Sequence, residues 1–171
     1  MLRFVLENSK DTRLLAETLA NHLVSSDLVI LTGELGAGKT VFARSLLSCL
    51  GVQEQVTSPT FVLVKSYQGR MPIEHVDIYR VDDPEELDIL CIGELLDDGH
   101  LVVIEWGEKA IGMFGPSYLQ VTFERIDTEA SLEEEMAGDA KRFVTVEIVG
   151  PGFTGRRTQI EADIGKIWRV A

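Results

Sequence analysis

The segment that most constrains the fold of this chain is residues 28–40, LVILTGELGAGKT. A short apolar run leads into a glycine-rich turn that fits G-x-x-x-x-G-K-[ST], and KTVFARSLLSCL follows with helical spacing up to Gly51. A continuous apolar run is typical of a strand buried on both faces of a parallel sheet. A strand before the motif and a helix after it are the context that the motif requires. The sequence therefore predicts an α/β protein with the P-loop NTPase fold.

The motif itself predicts a site for nucleotide phosphates. Its glycines let the backbone N–H groups point at the phosphates, Lys39 reaches the β and γ phosphates, and the Thr40 hydroxyl ligates Mg²⁺. The positive end of the following helix adds to the attraction for an anion. We expect the nucleotide to be bound by Gly33, Glu34, Leu35, Gly36, Ala37, Gly38, Lys39, Thr40, Val41 and Trp106.

A P-loop enzyme also needs a carboxylate near Mg²⁺ at the end of a neighbouring strand. LVVIE ends in Glu105, and IEHVD ends in Asp77. Because a central parallel strand should be apolar throughout, LVVIE is predicted to lie beside the motif. Glu105 is then the main candidate for ligating Mg²⁺ or orienting water. The alternative is that Glu105 has no role in the site and is an acid that ends a strand in solvent. We predict catalytic roles for Lys39, Glu105 and Asp77, and metal ligands at Thr40, Glu105 and Asp77.

Other residues near these strand ends allow two interpretations each. Trp106 follows Glu105 and is equally compatible with packing and with lining the nucleotide site or a partner surface. Ser58 and Thr60 flank Pro59 in a hydroxyl-rich turn, which can act as a switch that senses the γ-phosphate or can be an ordinary capped turn. His75 has no other ligands around it at metal-binding spacing, so it is predicted to be structural.

The remaining patterns predict one domain over residues 1–171, with a mixed, mostly parallel sheet flanked by helices. The patterns predict a strand at LRFVLE and an amphipathic helix at residues 10–24. They also predict a β-hairpin made of TSPTFVLVKSYQ and PIEHVDIYR. A helix should begin at Pro84 with Asp82 or Asp83 as its cap. SYLQVTFERI and RFVTVEIVG should form antiparallel C-terminal strands. Between them, residues 127–140 are expected to form an exposed acidic loop, and residues 151–171 carry no clear pattern.

The charge of the chain argues against direct binding of nucleic acid. The formal net charge is −12, and the only short basic pairs are Lys141-Arg142 and Arg156-Arg157. A direct nucleic-acid binder usually shows a basic face, whereas an acidic chain suits partners that carry positive charge. We find no signal-peptide pattern and no apolar run of the ~18 residues needed to span a membrane. A cytoplasmic location without membrane contact is therefore expected.

Five short segments in register resemble a known family. They are GELGAGKT, VTSPTF, HVDIYR, DPEEL and LVVIEWGE, between about residue 8 and residue 110. Their order and spacing are similar to those of the TsaE family, also called YjeE. One departure is Cys91, which stands where the family has a glycine.

The resemblance implies a small ATPase that uses ATP and Mg²⁺. In that family TsaE binds the proteins TsaD and TsaB and hydrolyses ATP to keep tRNA modification turning over. The product is threonylcarbamoyladenosine next to the anticodon. The resemblance thus implies TsaD and TsaB as partners, with tRNA contacted only indirectly.

The family's functional residues fall on matching positions of this chain. Its motif Lys and Thr correspond to Lys39 and Thr40, and its strand-end Asp to Asp77. Its Glu-Trp pair corresponds to Glu105 and Trp106, and its Ser-Pro-Thr segment to residues 58–60.

Three other functions remain open from the residues alone. A small-molecule kinase usually carries an arginine-rich lid, which the sequence lacks. A GTPase switch usually carries an Asn-Lys-x-Asp string, which is also missing. A nucleotide-gated binding module with incidental hydrolysis would keep the same motif. For an ATPase that depends on partners, we expect weak activity from the isolated chain.

Overall fold

All the strands of the protein belong to one sheet in the part of the chain that the structure describes. The structure is a computed structural model, and it describes residues 1–81, 84–88, 90–126 and 141–170. The predicted acidic loop at 127–140 and the predicted helix cap at Asp82 or Asp83 lie outside these residues.

The elements follow the predicted order of strands and helices. The strands are β1 Leu2–Leu6, β2 Leu28–Gly33, β3 Val64–Gln68, β4 Pro72–Asp77, β5 Leu101–Glu105, β6 Tyr118–Arg125 and β7 Arg142–Val149. The helices are α1 Ser9–Ala20, α2 Lys39–Cys49, α3 Pro84–Asp88, α4 Ile92–Asp97 and α5 Arg157–Ile167. Among the helices of the described residues, none has both the length and the apolar character needed to cross a membrane.

The sheet is mixed, with a parallel centre and antiparallel edges. The strand order is β1-β7-β6-β2-β5-β4-β3. The pairs β6–β2, β2–β5 and β5–β4 are parallel, whereas β3–β4, β6–β7 and β1–β7 are antiparallel, so five of the seven strands point the same way. The predicted sheet, the hairpin β3–β4 and the antiparallel pair β6–β7 are confirmed. β6 also extends the parallel centre beside β2.

Apolar side chains on both faces explain why β2 and β5 are central. Residues alternate between faces along a strand, so Val29 and Leu31 face one core with α1, α2 and α5. Leu28 and Ile30 face a second, smaller core with α3 and α4. Every residue of β5 is buried, which is the pattern expected for a parallel strand covered on both sides.

Two predicted elements differ from the observed ones. Helix α1 ends at Ala20 and not at residue 24, because the chain must turn there to enter β2, and the Asp27 carboxylate accepts a hydrogen bond from the Val24 N–H at 2.8 Å. Strand β4 alternates in polarity but is buried from residue 73 onward, because it lies between β5 and β3 and the two cores cover its faces. Its three buried polar side chains bond to groups on other parts of the chain.

The C-terminal residues, which carry no clear sequence pattern, pack onto the main core. A short 3₁₀ turn precedes α5, and Ile160 and Ile164 of that helix are fully buried. Arg156 donates two hydrogen bonds to Asp27, at 2.6 and 2.8 Å. The Trp168 ring stacks on Phe4 with centroids 5.0 Å apart. The tail thus ties β1 and the start of β2 together.

The family departure at Cys91 predicts a stability difference. Cys91 is exposed and starts α4 with φ 48° and ψ 36°, in the left-handed region that favours glycine. We expect Cys91→Gly to be more stable than Cys91→Ala by about 1 kcal/mol in urea denaturation, since only the alanine retains the backbone strain. Both variants remove the thiol, so the comparison isolates the backbone. Equal stability of the two variants would show that the alanine at position 91 carries no backbone strain.

Candidate functional site

The glycine-rich loop, residues 33–40, connects β2 to α2 with a backbone that requires glycine. Gly33, Gly36 and Gly38 have φ of 125°, 77° and 109°, where L side chains are strained. A Cβ on Gly33 would also lie 2.1 Å from the Phe123 carbonyl oxygen. Helix α2 begins at Lys39, and Gly38 provides no side-chain cap. The first N–H groups of the helix are therefore directed at the loop, which suits an anion.

Lys39 is held inside the glycine-rich loop by its own backbone. Its ammonium group donates to the carbonyls of Gly33 at 2.5 Å and Glu34 at 2.9 Å. It also lies 3.4 Å from the centroid of the Trp106 ring, in a cation–π contact. Burial lowers the pKa of Lys39, and nearby carboxylates, Glu108 first, oppose that effect. The site thus contains a desolvated cation beside acidic groups.

Glu105 lies next to the glycine-rich loop because β5 pairs with β2 in parallel, with Leu31 opposite Glu105. Its side chain is 1% exposed. One carboxylate oxygen accepts the Thr40 hydroxyl at 2.6 Å, and the other lies 2.9 Å from Nε2 of His75. The interpretation of Glu105 as an acid in solvent is therefore wrong, because both its oxygens have partners inside the protein.

Asp77 stands beside Glu105 because β4 pairs with β5 in parallel and aligns the two residues. One Asp77 oxygen accepts the hydroxyls of Ser58 at 3.1 Å and Thr60 at 2.6 Å. The other accepts the Tyr79 backbone N–H at 3.0 Å. The predicted switch-like turn is thus joined to a strand-end carboxylate, which an ordinary capped turn does not require.

Trp106 covers the cavity from the opposite side, in a strained backbone conformation. Its φ is 63°, which is unusual for a bulky residue and typical of functional sites. Its ring packs on Tyr79 with centroids 4.6 Å apart. The ring thus packs and also forms a wall of a cavity beside the glycine-rich loop, whereas its contact with a nucleotide stays a prediction.

A cavity of about 160 Å³ lies between these groups. Its walls are formed by Leu35, Gly36, Ala37, Gly38, Lys39, Thr40, Val41, Glu105 and Trp106. Leu35 and Val41 are 71% and 41% exposed, so both residues lie at the open side of the cavity. Of the other predicted residues, Gly33 and Glu34 hold Lys39 through their carbonyls, and Asp77 lies behind Glu105.

Comparison with known proteins identifies the family. The model of the family described as threonylcarbamoyl adenosine biosynthesis protein TsaE matches residues 6–135. The chain belongs to the TsaE family.

Individual relatives carry the same description over most of their length. The TsaE protein of Rickettsia felis is 38% identical over 130 residues, which cover 75% of each chain. The TsaE protein of Treponema pallidum is 33% identical over 136 residues, 80% of this chain and 100% of that one. The crystal structure of YdiB from Bacillus subtilis superposes with a TM-score of 0.71 at 24% identity and covers 97% of both chains. That likeness supports the fold, including the C-terminal part.

The residues of this TsaE chain fit a Mg²⁺ ion that is shared with phosphates. Within residues 1–81, 84–88, 90–126 and 141–170, no three His, Cys, Asp or Glu side chains are placed to hold a metal. Mg²⁺ usually takes one or two carboxylates and completes its shell with waters and substrate phosphates. The Thr40 hydroxyl and the Glu105 carboxylate, 2.6 Å apart, offer that donor set. The metal roles of Thr40, Glu105 and Asp77 remain predictions.

The sequence does not predict that two further residues, His75 and Arg142, lie at the site. The sequence predicts a structural His75, with which its burial agrees, but it does not predict the contact with Glu105. Alternation along β4, which places His75 on the same face as Asp77, is the signal that could have indicated it. Arg142, half of a short basic pair, lies behind the glycine-rich loop. Its guanidinium donates to the Ala37 carbonyl at 3.4 Å and would lie 2.2 Å from a Cβ on Gly38. No short-range pattern predicts that contact.

The glycine-rich loop predicts unequal effects of two similar substitutions. Gly33→Ala should lower the free energy of unfolding by at least about 3 kcal/mol, because the new Cβ meets a backbone carbonyl. Gly36→Ala meets only the Arg125 guanidinium at 3.8 Å, so only backbone strain of about 1 kcal/mol is expected. Urea denaturation followed by circular dichroism measures both. Equal losses would show that the Phe123 contact does not constrain the loop.

Proposed function

We propose that this TsaE chain is a Mg²⁺-dependent ATPase that supports the TsaD–TsaB proteins in making threonylcarbamoyladenosine in tRNA. The observation that carries this proposal is the hydrogen bond between Thr40 and Glu105. It joins the start of the helix after the glycine-rich loop to the carboxyl end of the neighbouring parallel strand. Open α/β sheets bind ligands at this edge.

Binding of ATP requires Lys39 to change partners. In the structure its ammonium group satisfies two carbonyls of the glycine-rich loop and contacts the Trp106 ring. Phosphate oxygens carry full charge and replace these contacts with charge-assisted hydrogen bonds. The loop N–H groups and the start of α2 would then hold the phosphate chain, and the Thr40 hydroxyl oxygen would be available to ligate Mg²⁺.

Hydrolysis requires a water molecule placed in line with the γ-phosphate. Bound Mg²⁺ would supply charge stabilisation for the phosphate oxygens. Glu105 is buried and held at both oxygens, so its carboxylate has a defined orientation before ATP binds. From there its carboxylate could orient the water or ligate Mg²⁺. Lys39 stabilises the negative charge that develops as the bond to the β-phosphate breaks.

Asp77 provides the proposed link to partner proteins. Its carboxylate holds the turn at residues 58–60 through two hydroxyls. The next residue along, Phe61, is 81% exposed. A change at Asp77 on nucleotide binding would move this turn, as a switch loop moves in response to the γ-phosphate. We expect TsaD and TsaB to respond to the movement of this turn. The acidic chain itself is expected to act on tRNA only through these partner proteins.

Substitution of Glu105 separates binding from hydrolysis. Glu105→Gln should lower kcat by about 10²-fold or more, because the water loses its orienting carboxylate. Affinity for ATP should change far less, since Lys39 and the loop N–H groups remain. Phosphate release, measured with TsaD and TsaB present, gives kcat, and calorimetry gives the affinity. Lys39→Met is the matched control that should lose binding.

Two outcomes would contradict the proposed function. If Glu105→Gln binds ATP without hydrolysing it and still supports tRNA modification by TsaD and TsaB, hydrolysis is dispensable and the chain is a nucleotide-gated binding module. If the isolated chain hydrolyses ATP rapidly and is unaffected by TsaD and TsaB, the proposed dependence on partners is wrong.

Trp106 should report the movement of Lys39. The chain has two tryptophans, so Trp168→Phe leaves Trp106 as the single tryptophan, which can be excited selectively over tyrosine. Addition of Mg²⁺ and ATP should change its fluorescence, because the ammonium group leaves the ring face. Adding Lys39→Met in the same background should abolish the response. Unchanged emission at saturating ATP, with binding shown by calorimetry, would contradict the proposed movement.

A further inference from the structure

His75 is a buried polar residue to which the proposed function assigns no role. It lies on β4 with 0% of its side chain exposed, between Lys65 of β3 and Val103 of β5 in the sheet register. The Tyr67 ring packs against it with centroids 6.4 Å apart. An apolar side chain would fill such a position at a lower desolvation cost.

Of the two ring nitrogens of His75, one has a hydrogen-bond partner among the described residues and the other has none. Nε2 lies 2.9 Å from Glu105 Oε1, whereas Nδ1 has no partner among the residues that the structure describes. A carboxylate can only accept, so the proton of the imidazole is on Nε2. The unpaired Nδ1 costs free energy. The contact with Glu105 is therefore the one polar interaction of the ring that the structure describes.

We propose that His75 is a positioning residue that fixes the orientation of the Glu105 carboxylate, an inference that rests on the proposed ATPase function. Glu105 is held at Oε1 by His75 and at Oε2 by Thr40. If the Thr40 oxygen ligates Mg²⁺, the ion would draw that hydroxyl toward itself, and Oε2 would be held less tightly from that side. His75 then remains as the donor that keeps the carboxylate from rotating, so that Oε2 stays directed at the reacting water or the metal.

The neighbouring carboxylate, that of Asp77, is held by hydrogen-bond donors other than His75. Asp77 receives its hydrogen bonds from Ser58, Thr60 and the Tyr79 backbone, and none of these comes from His75. Loss of the imidazole should therefore affect Glu105 selectively and leave the switch-like turn at residues 58–60 in place.

Two amide variants of different reach test this role. The amide nitrogen of His75→Gln can occupy the place of Nε2 and donate to Glu105, whereas that of His75→Asn is too short. We expect His75→Asn to lower kcat for ATP hydrolysis by about 10-fold or more, with KM changed less than about threefold, since the phosphate contacts remain. His75→Gln should restore most of kcat. Equal losses in both variants, or a change confined to KM, would overturn the proposal.

A measurement without turnover tests the same geometry. The chain has three histidines, and ¹⁵N NMR of the imidazole nitrogens distinguishes their tautomers. His75 should be in the Nε2–H form, and Glu105→Gln should shift its ring signals while Asp77→Asn leaves them nearly unchanged. An Nδ1–H tautomer would overturn the proposal even if His75→Asn failed to fold.

The two proposals fail in distinguishable ways. If Glu105→Gln leaves hydrolysis intact, the ATPase mechanism is wrong, and the role of His75 in it is wrong as well. If Glu105→Gln abolishes hydrolysis but His75→Asn keeps kcat within about twofold, only the positioning role of His75 is overturned.

Discussion

The parallel pairing of β5 with β2 and β4 is the constraint on which the site depends. It aligns Leu31, Glu105 and Asp77 at one edge of the sheet, where the glycine-rich loop leaves β2. Two carboxylates that are almost fully buried would be costly without donors. The chain provides hydroxyls, an imidazole and a backbone N–H for them. The site is thus built as a network in which nearly every polar group has a defined partner.

Lys39 provides the opposite charge in this network. Burial lowers its pKa, and the surrounding carboxylates favour the charged form, so the cation and the acids stabilise one another. Among the described residues, the ammonium group nevertheless contacts two carbonyls and an aromatic face, which are weaker partners than phosphate oxygens. Trp106 reaches that place with a left-handed backbone, and such strain tends to occur at functional sites. These features agree with a site that changes its contacts on binding a charged ligand.

Much of this arrangement follows from local sequence patterns. The apolar runs of β2 and β5 predict the parallel centre, and the motif predicts the loop that Gly33, Gly36 and Gly38 form with positive φ. The placement of Glu105 beside the loop follows from the rule for apolar strands, and the structure confirms it. These predictions succeed because spacing along the chain decides them.

The remaining features depend on contacts between distant residues. The contact between His75 and Glu105 depends on the register of β4 against β5, which the alternating pattern of β4 does not set. Helix α1 ends early because of the turn at Asp27, and Arg156 holds that turn from the far end of the chain. Arg142 meets the glycine-rich loop across the sheet, 105 residues away from Ala37. Short-range periodicity carries no information on such pairs.

A crystal structure with Mg²⁺ and a non-hydrolysable ATP analogue tests the central claim most directly. We predict that the β and γ phosphates lie on the N–H groups of the glycine-rich loop and that Lys39 has left the Gly33 carbonyl. The Thr40 hydroxyl should lie about 2.1 Å from Mg²⁺, with Glu105 still hydrogen-bonded to His75. Phosphates bound away from residues 33–40, or a metal without Thr40 in its shell, would contradict the account.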